Sequence, residues 1–484
     1  MESRTLSDDL TRRSASELVK MIRERVHSPV EIVEAHLRRI DEANPSINAI
    51  VTVAEDAIDR ARAAERDLMD GKDAGPLHGV PLTIKDTIDT EGLRTTSGSR
   101  LRANHIPDRD ATVVARLKAA GAIIIGKTNV AEMAAYYESD NPIFGRTNNP
   151  HDITRTAGGS SGGEAAAISA CLSPAGIGSD LAGSIRLPAH FCGITGLKPT
   201  IGRVPFDGHT PAAISSLSLG VSLGPLARTV ADLALLFKVI ADPAAGDVNR
   251  SLDLRNVNLH GLRAAWYTND GVTPVERETA QAVEDAAGAL RDSGLDVRQD
   301  TPPGALQGLG LWLELFARTA SNQLREFYRG REQEAGPQVS VMLVRAREEE
   351  DLSMAEKVSA AERLAKAVVE RERLREQLRR WMKTTPLFIA PVGATSAFAH
   401  GTQRVEVDGE SISVFRAFSY SQTFNVFGLP SVTVPAGNSR EGLPIGIQIV
   451  GRPFEERAVL NAAEIIEQAL GGWQRPAKFC EDDS

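Results

Sequence analysis

Residues 156–200 read TAGGSSGGEAAAISACLSPAGIGSDLAGSIRLPAHFCGITGLKPT, and the prediction of the fold begins from this stretch. It is dense in glycine, serine and alanine, which permit tight turns and close packing. A small-residue helix is predicted over 164–171, between two glycine turns that carry serines. Such turns expose backbone N–H groups that can hold an anion. Two serine-bearing turns so close together indicate a site, although a purely structural packing turn would have a similar composition.

Short runs of β-branched residues flank this segment and alternate with helical patterns. Residues 80–84 and 122–125 are predicted strands, and an alanine-rich helix at 111–120 lies between them. This alternation predicts an α/β fold with a largely buried sheet. Further core strands are predicted at 262–267, 387–391, 431–435 and 445–450.

Residues 306–383 form a helical block rich in arginine, glutamate, leucine and alanine. Mixed charges along helices are typical of a solvated excursion from the main domain. The alternative is a lid or pocket wall that carries Leu311, Trp312, Leu315 and Phe316, because binding residues often lie on variable segments. The sequence leaves both interpretations open.

The composition excludes several classes of protein. The chain has 484 residues, of which 42% are hydrophobic and 25% charged, as in ordinary globular proteins. A net charge of −9 and 5% aromatic residues argue against a nucleic-acid partner. Cys171, Cys192 and Cys480 are too few for a disulfide framework. Residues 1–13 are polar, and no apolar run of ~20 residues occurs, so we expect a soluble cytoplasmic protein without a membrane partner.

Two motifs match known signatures without the structural context that those signatures need. Residues 121–128, GAIIIGKT, fit the phosphate-binding P-loop, but their interior residues are themselves a predicted strand. Residues 158–162, GGSSG, fit the nucleophile elbow, which requires a buried strand directly before it. Here 151–156 are polar and turn-like, and although His400 could be proposed as the later histidine, nothing near it in the sequence supports that role. The histidines show no metal-ligand spacing, so no metal or other cofactor is expected.

The motifs taken together resemble the amidase signature family. Residues 158–164 (GGSSGGE), 178–186 (GSDLAGSIR) and 191–200 (FCGITGLKPT) resemble its serine-rich signature, and 79–86 (GVPLTIKD) resembles its lysine motif. The resemblance extends over about 10–470 and is weakest in the helical block. It is also carried by 126–129 (GKTN), 141–150 (NPIFGRTNNP), 428–430 (GLP) and 442–446 (GLPIG) followed by Gln448.

The resemblance implies one large domain over 1–484, with a central mixed sheet covered by helices on both faces. Its core would span about 65–240 and 385–470, and the variable block about 300–384 would form part of the pocket. The resemblance also implies a triad of Ser184 as nucleophile, Ser160 as bridging serine and Lys85 as base. A cis peptide bond is expected at 159–160 or 160–161.

The physical chemistry of these residue types agrees with the implied triad. A serine hydroxyl is a weak nucleophile that needs a base, and lysine serves as one only when burial keeps it neutral. Lys85 follows the apolar run 80–84, which suits a desolvated position. The N–H groups of Leu181, Ala182, Gly183 and Ser184 are the predicted oxyanion hole. Ser161, Asp180 and Arg186 are predicted to support the loops.

The predicted reaction is hydrolysis of a C–N amide bond, with aryl amides, esters and carbamates or urethanes as candidate substrates. The expected partners are a small-molecule amide and water, and the chain is expected to be a monomer or homodimer. A mid-sized or aromatic, hydrophobic substrate is predicted. Its pocket is expected to be lined by Met133, Ala134, Ala135, Tyr136, Tyr137, Gly158, Gly159, Ile185, Trp312 and Phe316.

Two alternatives remain beside a stand-alone amidase. One is the A subunit of a tRNA-dependent glutamine amidotransferase, which resembles the same family. Residues 129–140, NVAEMAAYYESD, depart from the run expected in such a protein. The other is a catalytically silent binding scaffold, against which the presence of Lys85, Ser160 and Ser184 argues.

Overall fold

The computed structural model describes residues 10–72, 75–242, 258–350 and 353–479. Residues 1–9 and Cys480, which contributed to the expectations above, lie outside these ranges. The strands of the described residues are β1 (Ile50–Val53), β2 (Pro81–Lys85), β3 (Ile123–Thr128), β4 (Ala175–Asp180), β5 (Thr195–Lys198), β6 (Ser222–Ala227), β7 (Arg263–Trp266), β8 (Asp296–Gln299), β9 (Leu387–Pro391), β10 (Arg404–Val407), β11 (Glu410–Ser413), β12 (Ser431–Asn438) and β13 (Pro444–Gly451).

Eleven of these strands form one mixed sheet within the described ranges. Its order is β1-β3-β2-β4-β6-β5-β12-β13-β9-β7-β8, and β10 pairs with β11 in a separate hairpin. β3, β2 and β4 are parallel neighbours, and so are β9, β7 and β8. The strands between these two groups pair antiparallel. The α/β class and the mixed central sheet predicted for the chain are confirmed.

Some of the helices begin at capping residues that the sequence supplies. Ser14 and Ser28 each form a capping box with the glutamate three residues later, which satisfies N–H groups that a helix start leaves unpaired. The α-helices of the described residues are α1 (Ala15–Arg23), α2 (Pro29–Ile47), α3 (Ala57–Met69), α4 (Thr112–Ala119), α5 (Gly162–Ser169), α6 (Arg186–Cys192), α7 (Val230–Ile240), α8 (Arg277–Asp292), α9 (Gly308–Trp312), α10 (Arg318–Tyr328), α11 (Pro337–Glu350), α12 (Met354–Trp381), α13 (Val414–Ala417), α14 (Ser419–Val426) and α15 (Glu456–Leu470).

Helices cover both faces of the sheet because its strands are apolar on both sides. Successive side chains of a strand point to opposite faces. In β3, Ile124 joins an apolar cluster with residues of α1, α4, α7, α8 and α15, whereas Ile123 and Ile125 join a second cluster with α2, α3, α5 and α6. This places β3 in the interior, as expected for 121–128.

Lys127 is fully buried in β3 and donates to Ile88 O, Thr90 Oγ1 and Thr95 Oγ1. Residues 121–128 are therefore not a P-loop.

The helical block consists of α9 to α12 and lies against the core through specific contacts. Glu132 accepts a hydrogen bond from the Tyr328 hydroxyl (2.7 Å) and another from the Gly336 N–H (2.8 Å). Arg371 donates to Val426 O at 2.6 Å. The block is therefore attached to the segment that follows β3 and to the end of α14 (Ser419–Val426). Within the described part of the chain, no helix is both long and apolar enough to cross a lipid bilayer.

Candidate active site

The parallel strands β2 and β4 bring Lys85 and Ser179 together at their carboxyl ends. In the register of β2 and β4, Thr83 pairs with Gly176 and Ile84 with Ile177. Lys85, the last residue of β2, therefore lies beside the end of β4, and its Nζ is 2.9 Å from Ser179 Oγ. The carboxyl ends of parallel strands are where α/β sheets commonly place ligands.

Ser160 reaches the same lysine from the loop before α5. The distance between Lys85 Nζ and Ser160 Oγ is 2.7 Å. The peptide bond between Gly159 and Ser160 is cis, at one of the two positions expected. The Ser139 hydroxyl holds this loop by donating to Ser160 O (3.2 Å) and accepting from the Gly162 N–H (2.8 Å).

The environment of Lys85 favours its neutral form. Its side chain is fully buried, and burial lowers the pKa of Lys85 from 10.5 to about 7, although the charges of Asp180 and Glu164 act in the opposite direction. A substantial fraction of the amine is therefore neutral near pH 7. A neutral lysine that is hydrogen-bonded to a serine can accept that serine's proton.

Ser184 lies in the turn that joins β4 to α6. It is 7% exposed and lines the same cavity as Ser160. The Ser161 N–H donates to Ser184 O at 3.2 Å, which ties the two serine-bearing turns together. Gly178 permits this approach, because a Cβ there would lie 2.8 Å from Ser161 Oγ. The glycines of the two motifs thus allow both turns to approach one lysine.

The four predicted oxyanion donors differ in what they contact. The Gly183 N–H donates to Asp180 Oδ1 at 2.8 Å, so it is already used inside the loop. Among the described residues, no hydrogen-bond acceptor occupies the N–H groups of Leu181, Ala182 and Ser184. Leu181 O accepts a hydrogen bond from Trp312 Nε1 at 2.9 Å, which fixes the loop against the helical block.

Asp180 and Arg186 form a fully buried ion pair beneath this turn. Arg186 Nη2 and Nε lie 2.9 and 3.1 Å from the two carboxylate oxygens of Asp180. Burial alone would raise the pKa of Asp180, but the charge and hydrogen bonds of Arg186 outweigh it and hold this pKa below the usual range. Arg186 also donates to Gln448 and Asn425, so the pair braces the turn from several elements.

The two serines open onto an apolar cavity of about 380 Å³. The predicted residues Met133, Ala134, Ala135, Tyr136 and Tyr137 all line it, and so does Trp312. Residues of the helical block supply much of the remaining wall, which supports the pocket-wall interpretation of that block. Further lining residues are Phe206, His209, Pro211, Ala212, Leu217, Leu309, Leu313, Ala317, Ala320, Gln323, Leu324, Met342, Arg345, Phe415 and Arg416.

Four residues predicted to line the pocket lie elsewhere. Gly158 and Gly159 are buried, and a Cβ at Gly159 would meet the backbone of 136–138 at 2.7 Å. Ile185 packs in the apolar cluster of α5 and α6. Phe316 is fully buried in the apolar cluster that also contains Trp312, and the two rings contact each other with their centroids 6.4 Å apart.

The structure also decides against the nucleophile-elbow interpretation of residues 158–162. Residues 151–156 form no strand before the GGSSG turn, so the nucleophile elbow is absent there. His400 Nε2 lies 3.3 Å from Ile153 O and its Nδ1 3.5 Å from Glu138, away from the serine–lysine contacts.

Sequence reasoning missed Ser179 and His209, which contact each other at 3.0 Å. The GSD motif contains Ser179, whereas His209 carries no sequence signal.

Known proteins are similar to this chain in sequence and in fold. The Amidase family model matches residues 31–460. The chain is 35% identical to the A subunit of the glutamyl-tRNA(Gln) amidotransferase of Carboxydothermus hydrogenoformans, covering 94% of this chain and 96% of the relative. It is 32% identical to human fatty-acid amide hydrolase 2, covering 98% and 92%. The structure of a bacterial aryl acylamidase superposes with a TM-score of 0.83 at 26% identity, covering 94% of this chain and 96% of the other.

The fold, the site and these similarities together define a class of protein, the hydrolases that act on amides. Within this class, the chain belongs to the amidase signature family.

Proposed function

We propose that this protein hydrolyses the C–N bond of a hydrophobic amide through an acyl-enzyme on Ser184. The observation that carries the proposal is the contact of the buried Lys85 amine with Ser160, 2.7 Å away, next to the apolar cavity that Ser184 also lines. Lysine takes the position of the base, and Ser160 lies between it and the cavity as the serine that can pass a proton to it.

In the acylation step, Ser184 Oγ attacks the amide carbonyl carbon. Its proton passes to Ser160 Oγ while the Ser160 proton moves to Lys85 Nζ. The C–N bond then breaks, and the leaving amine receives the proton from Lys85 through Ser160. The N–H groups of Leu181, Ala182 and Ser184 stabilise the tetrahedral oxyanion.

In the deacylation step, water repeats the attack on the acyl-enzyme. Its proton follows the same path through Ser160 to Lys85, and Ser184 receives a proton as the C–O bond to the enzyme breaks. The acid is released and the three side chains return to their starting protonation states. Asp180 and Arg186 hold the turn and do not exchange protons in this scheme.

The lining of the cavity supports the proposed hydrophobic substrate class. Its walls are mainly aliphatic and aromatic, and Tyr137 stacks edge-on with Phe415 at 5.1 Å. Such a surface gains binding free energy from burying an acyl chain or an aryl group. The names of two relatives, a fatty-acid amide hydrolase and an aryl acylamidase, agree with this class. Aryl esters and carbamates place the same carbonyl at Ser184 and are included in the proposal.

Kinetics on para-nitroanilides of acetic, hexanoic and decanoic acid test this proposal. We expect kcat/KM to rise with acyl length until the cavity is filled, and Lys85→Met to abolish the activity. Lys198→Met is the matched control, because Lys198 is a second fully buried lysine whose Nζ bonds to Pro199 O and does not line the cavity. Full activity in Lys85→Met would contradict the proposal.

The alternative is the A subunit of a glutamine amidotransferase, and the identity to that protein of Carboxydothermus hydrogenoformans favours it. That function requires a pocket for the small polar side chain of glutamine. The apolar lining here and the departure at residues 129–140 favour the hydrophobic amide. Glutaminase activity above that on the anilides, together with co-purification of a tRNA-binding partner, would establish the alternative instead.

A further inference from the structure

His209 lies close to the proposed base without contacting it. The residue belongs to the segment between β5 and β6, lines the cavity and is 7% exposed. Its Nε2 is 3.0 Å from Ser179 Oγ, and that oxygen is 2.9 Å from Lys85 Nζ. Its Nδ1 is 2.8 Å from Pro211 O. A continuous series of contacts thus runs from the backbone carbonyl of Pro211 through the side chains of His209, Ser179 and Lys85 to Ser160.

The partners of His209 determine where its hydrogen lies. A carbonyl oxygen only accepts, so the contact with Pro211 O requires the hydrogen on Nδ1. In the neutral ring, Nε2 is then an acceptor, and the Ser179 hydroxyl donates to it. Burial lowers the pKa of His209 to about 3, and the charges of Lys85 on β2 and Lys127 on β3 lower it as well, while the bond to Pro211 O acts against them. The ring is therefore neutral at ordinary pH.

This direction of donation has a consequence for Lys85. Once the Ser179 hydrogen is committed to His209, Ser179 Oγ can only accept a hydrogen bond from the lysine. A neutral amine has one lone pair, and its two N–H groups serve as donors. With one N–H bound to Ser179, the lone pair is available for the Ser160 hydroxyl, which is 2.7 Å away.

We propose that His209 is a positioning residue, which acts through Ser179 to keep the lone pair of Lys85 directed at Ser160. Without the histidine, the Ser179 hydroxyl is free to rotate and donate to that lone pair. It then competes with Ser160 for the same acceptor, and the base is blocked for part of the time. The proposal rests on the function proposed above, in which Lys85 receives the Ser160 proton.

A double-mutant cycle between His209 and Ser179 tests this role. His209→Leu removes the acceptor, and the loss of one hydrogen bond of ordinary strength predicts about a tenfold fall in kcat with KM little changed. His209→Gln restores an acceptor oxygen and is expected to recover most of the activity. In a Ser179→Ala background there is no hydroxyl to orient, so His209→Leu is expected to cost less than about twofold.

The readouts are kcat and KM on the hexanoyl para-nitroanilide and the rate of labelling by a fluorophosphonate, with thermal unfolding recorded for each variant. An equal fall for His209→Leu in both backgrounds would overturn the proposal, because a packing role against Phe206 would be additive. Failure of His209→Gln to recover activity in a folded variant would also overturn it. The Lys85→Met variant distinguishes a failure of the His209 proposal from a failure of the proposed amide hydrolysis. Full activity in that variant refutes the proposed hydrolysis itself.

Discussion

At the residue scale, the Lys85 amine is the group whose protonation controls the proposed reaction. The protonated amine has no lone pair for the Ser160 proton, so activity requires the neutral form. Since the pKa of Lys85 is about 7, the neutral fraction rises as pH increases through that value. We predict that kcat/KM falls about tenfold per pH unit well below 7 and reaches a plateau above it.

Two other buried groups titrate in the same range and supply controls for this profile. Burial lowers the pKa of Lys198 and raises the pKa of Glu164, each to about 7. Lys198→Met is therefore expected to retain the same acid limb in a pH–rate profile. Glu164→Gln is expected to retain a limb that lies at lower pH, because the charge of Glu164 raises the pKa of Lys85. Loss of the limb in either variant, with wild-type activity at high pH, would assign it to that residue and not to Lys85.

The sequence allowed the principal site residues to be predicted but not all of their neighbours. The sequence motifs 79–86, 158–164 and 178–186 contain Lys85, Ser160 and Ser184. The structure brings Lys85 and Ser160 into contact and places Ser184 in the wall of the cavity that Ser160 also lines. His209 lies in the segment between β5 and β6, whose sequence has neither helical nor strand periodicity. Its contact with Ser179 depends on the path that this segment takes past the end of β4. A single histidine in such a segment carries no signal of its role.

At the scale of elements, the fully buried ion pair of Asp180 and Arg186 braces the β4–α6 turn. Arg186→Met leaves the Asp180 carboxylate buried without its partner. We predict a loss of ~3–5 kcal/mol in the free energy of unfolding, measured by denaturant titration. The matched control is Arg298→Ala, which removes the exposed pair with Asp296 and is expected to leave the unfolding midpoint unchanged.

The contact of α9 with the proposed oxyanion loop gives a second prediction at this scale. Trp312→Phe keeps an aromatic ring in the cavity wall but removes the N–H that donates to Leu181 O. The loop loses one restraint, and we predict a fall of severalfold in kcat on the para-nitroanilides. Trp381→Phe makes the same chemical change where the indole donates to Asp300, so an equal fall in that variant would contradict the role of the loop contact.

Phe316 shows why the helical block was harder to predict than the strands. Trp312 and Phe316 are both predicted for the pocket wall, and their rings contact each other with centroids 6.4 Å apart. Trp312 lines the cavity, whereas Phe316 packs against Gly220, where a Cβ would lie 2.5 Å from the Phe316 ring. Apolar runs such as 387–391 predict strands correctly, but which aromatic ring of a helix reaches a pocket depends on how that helix packs against distant segments.

At the scale of the whole molecule, the helical block and the sheet edge together enclose the cavity. Ala320 on α10 contributes to its wall, so Ala320→Phe is expected to reduce the space for the substrate. We predict that kcat/KM falls more for the decanoyl than for the acetyl para-nitroanilide. Ala361→Phe, on the exposed side of α12, is the control and should leave the acyl preference unchanged.

The order of the sheet could not be predicted from local patterns. β5 lies between β6 and β12, and β12 comes from more than 200 residues further along the chain. The alternation of strands and helices predicts the α/β class, because it depends only on local periodicity. Which strands become neighbours depends on how distant apolar faces pack, and this information is spread over the whole core.

Covalent labelling tests the central claim most directly. Incubation with a fluorophosphonate, followed by intact-mass measurement and peptide mapping, should show one adduct on Ser184. Labelling should be strongly slowed in Lys85→Met and retained in Lys198→Met. An adduct on another residue, or an unchanged labelling rate in folded Lys85→Met, would contradict the assignment of Ser184 as the nucleophile activated through Ser160 by Lys85.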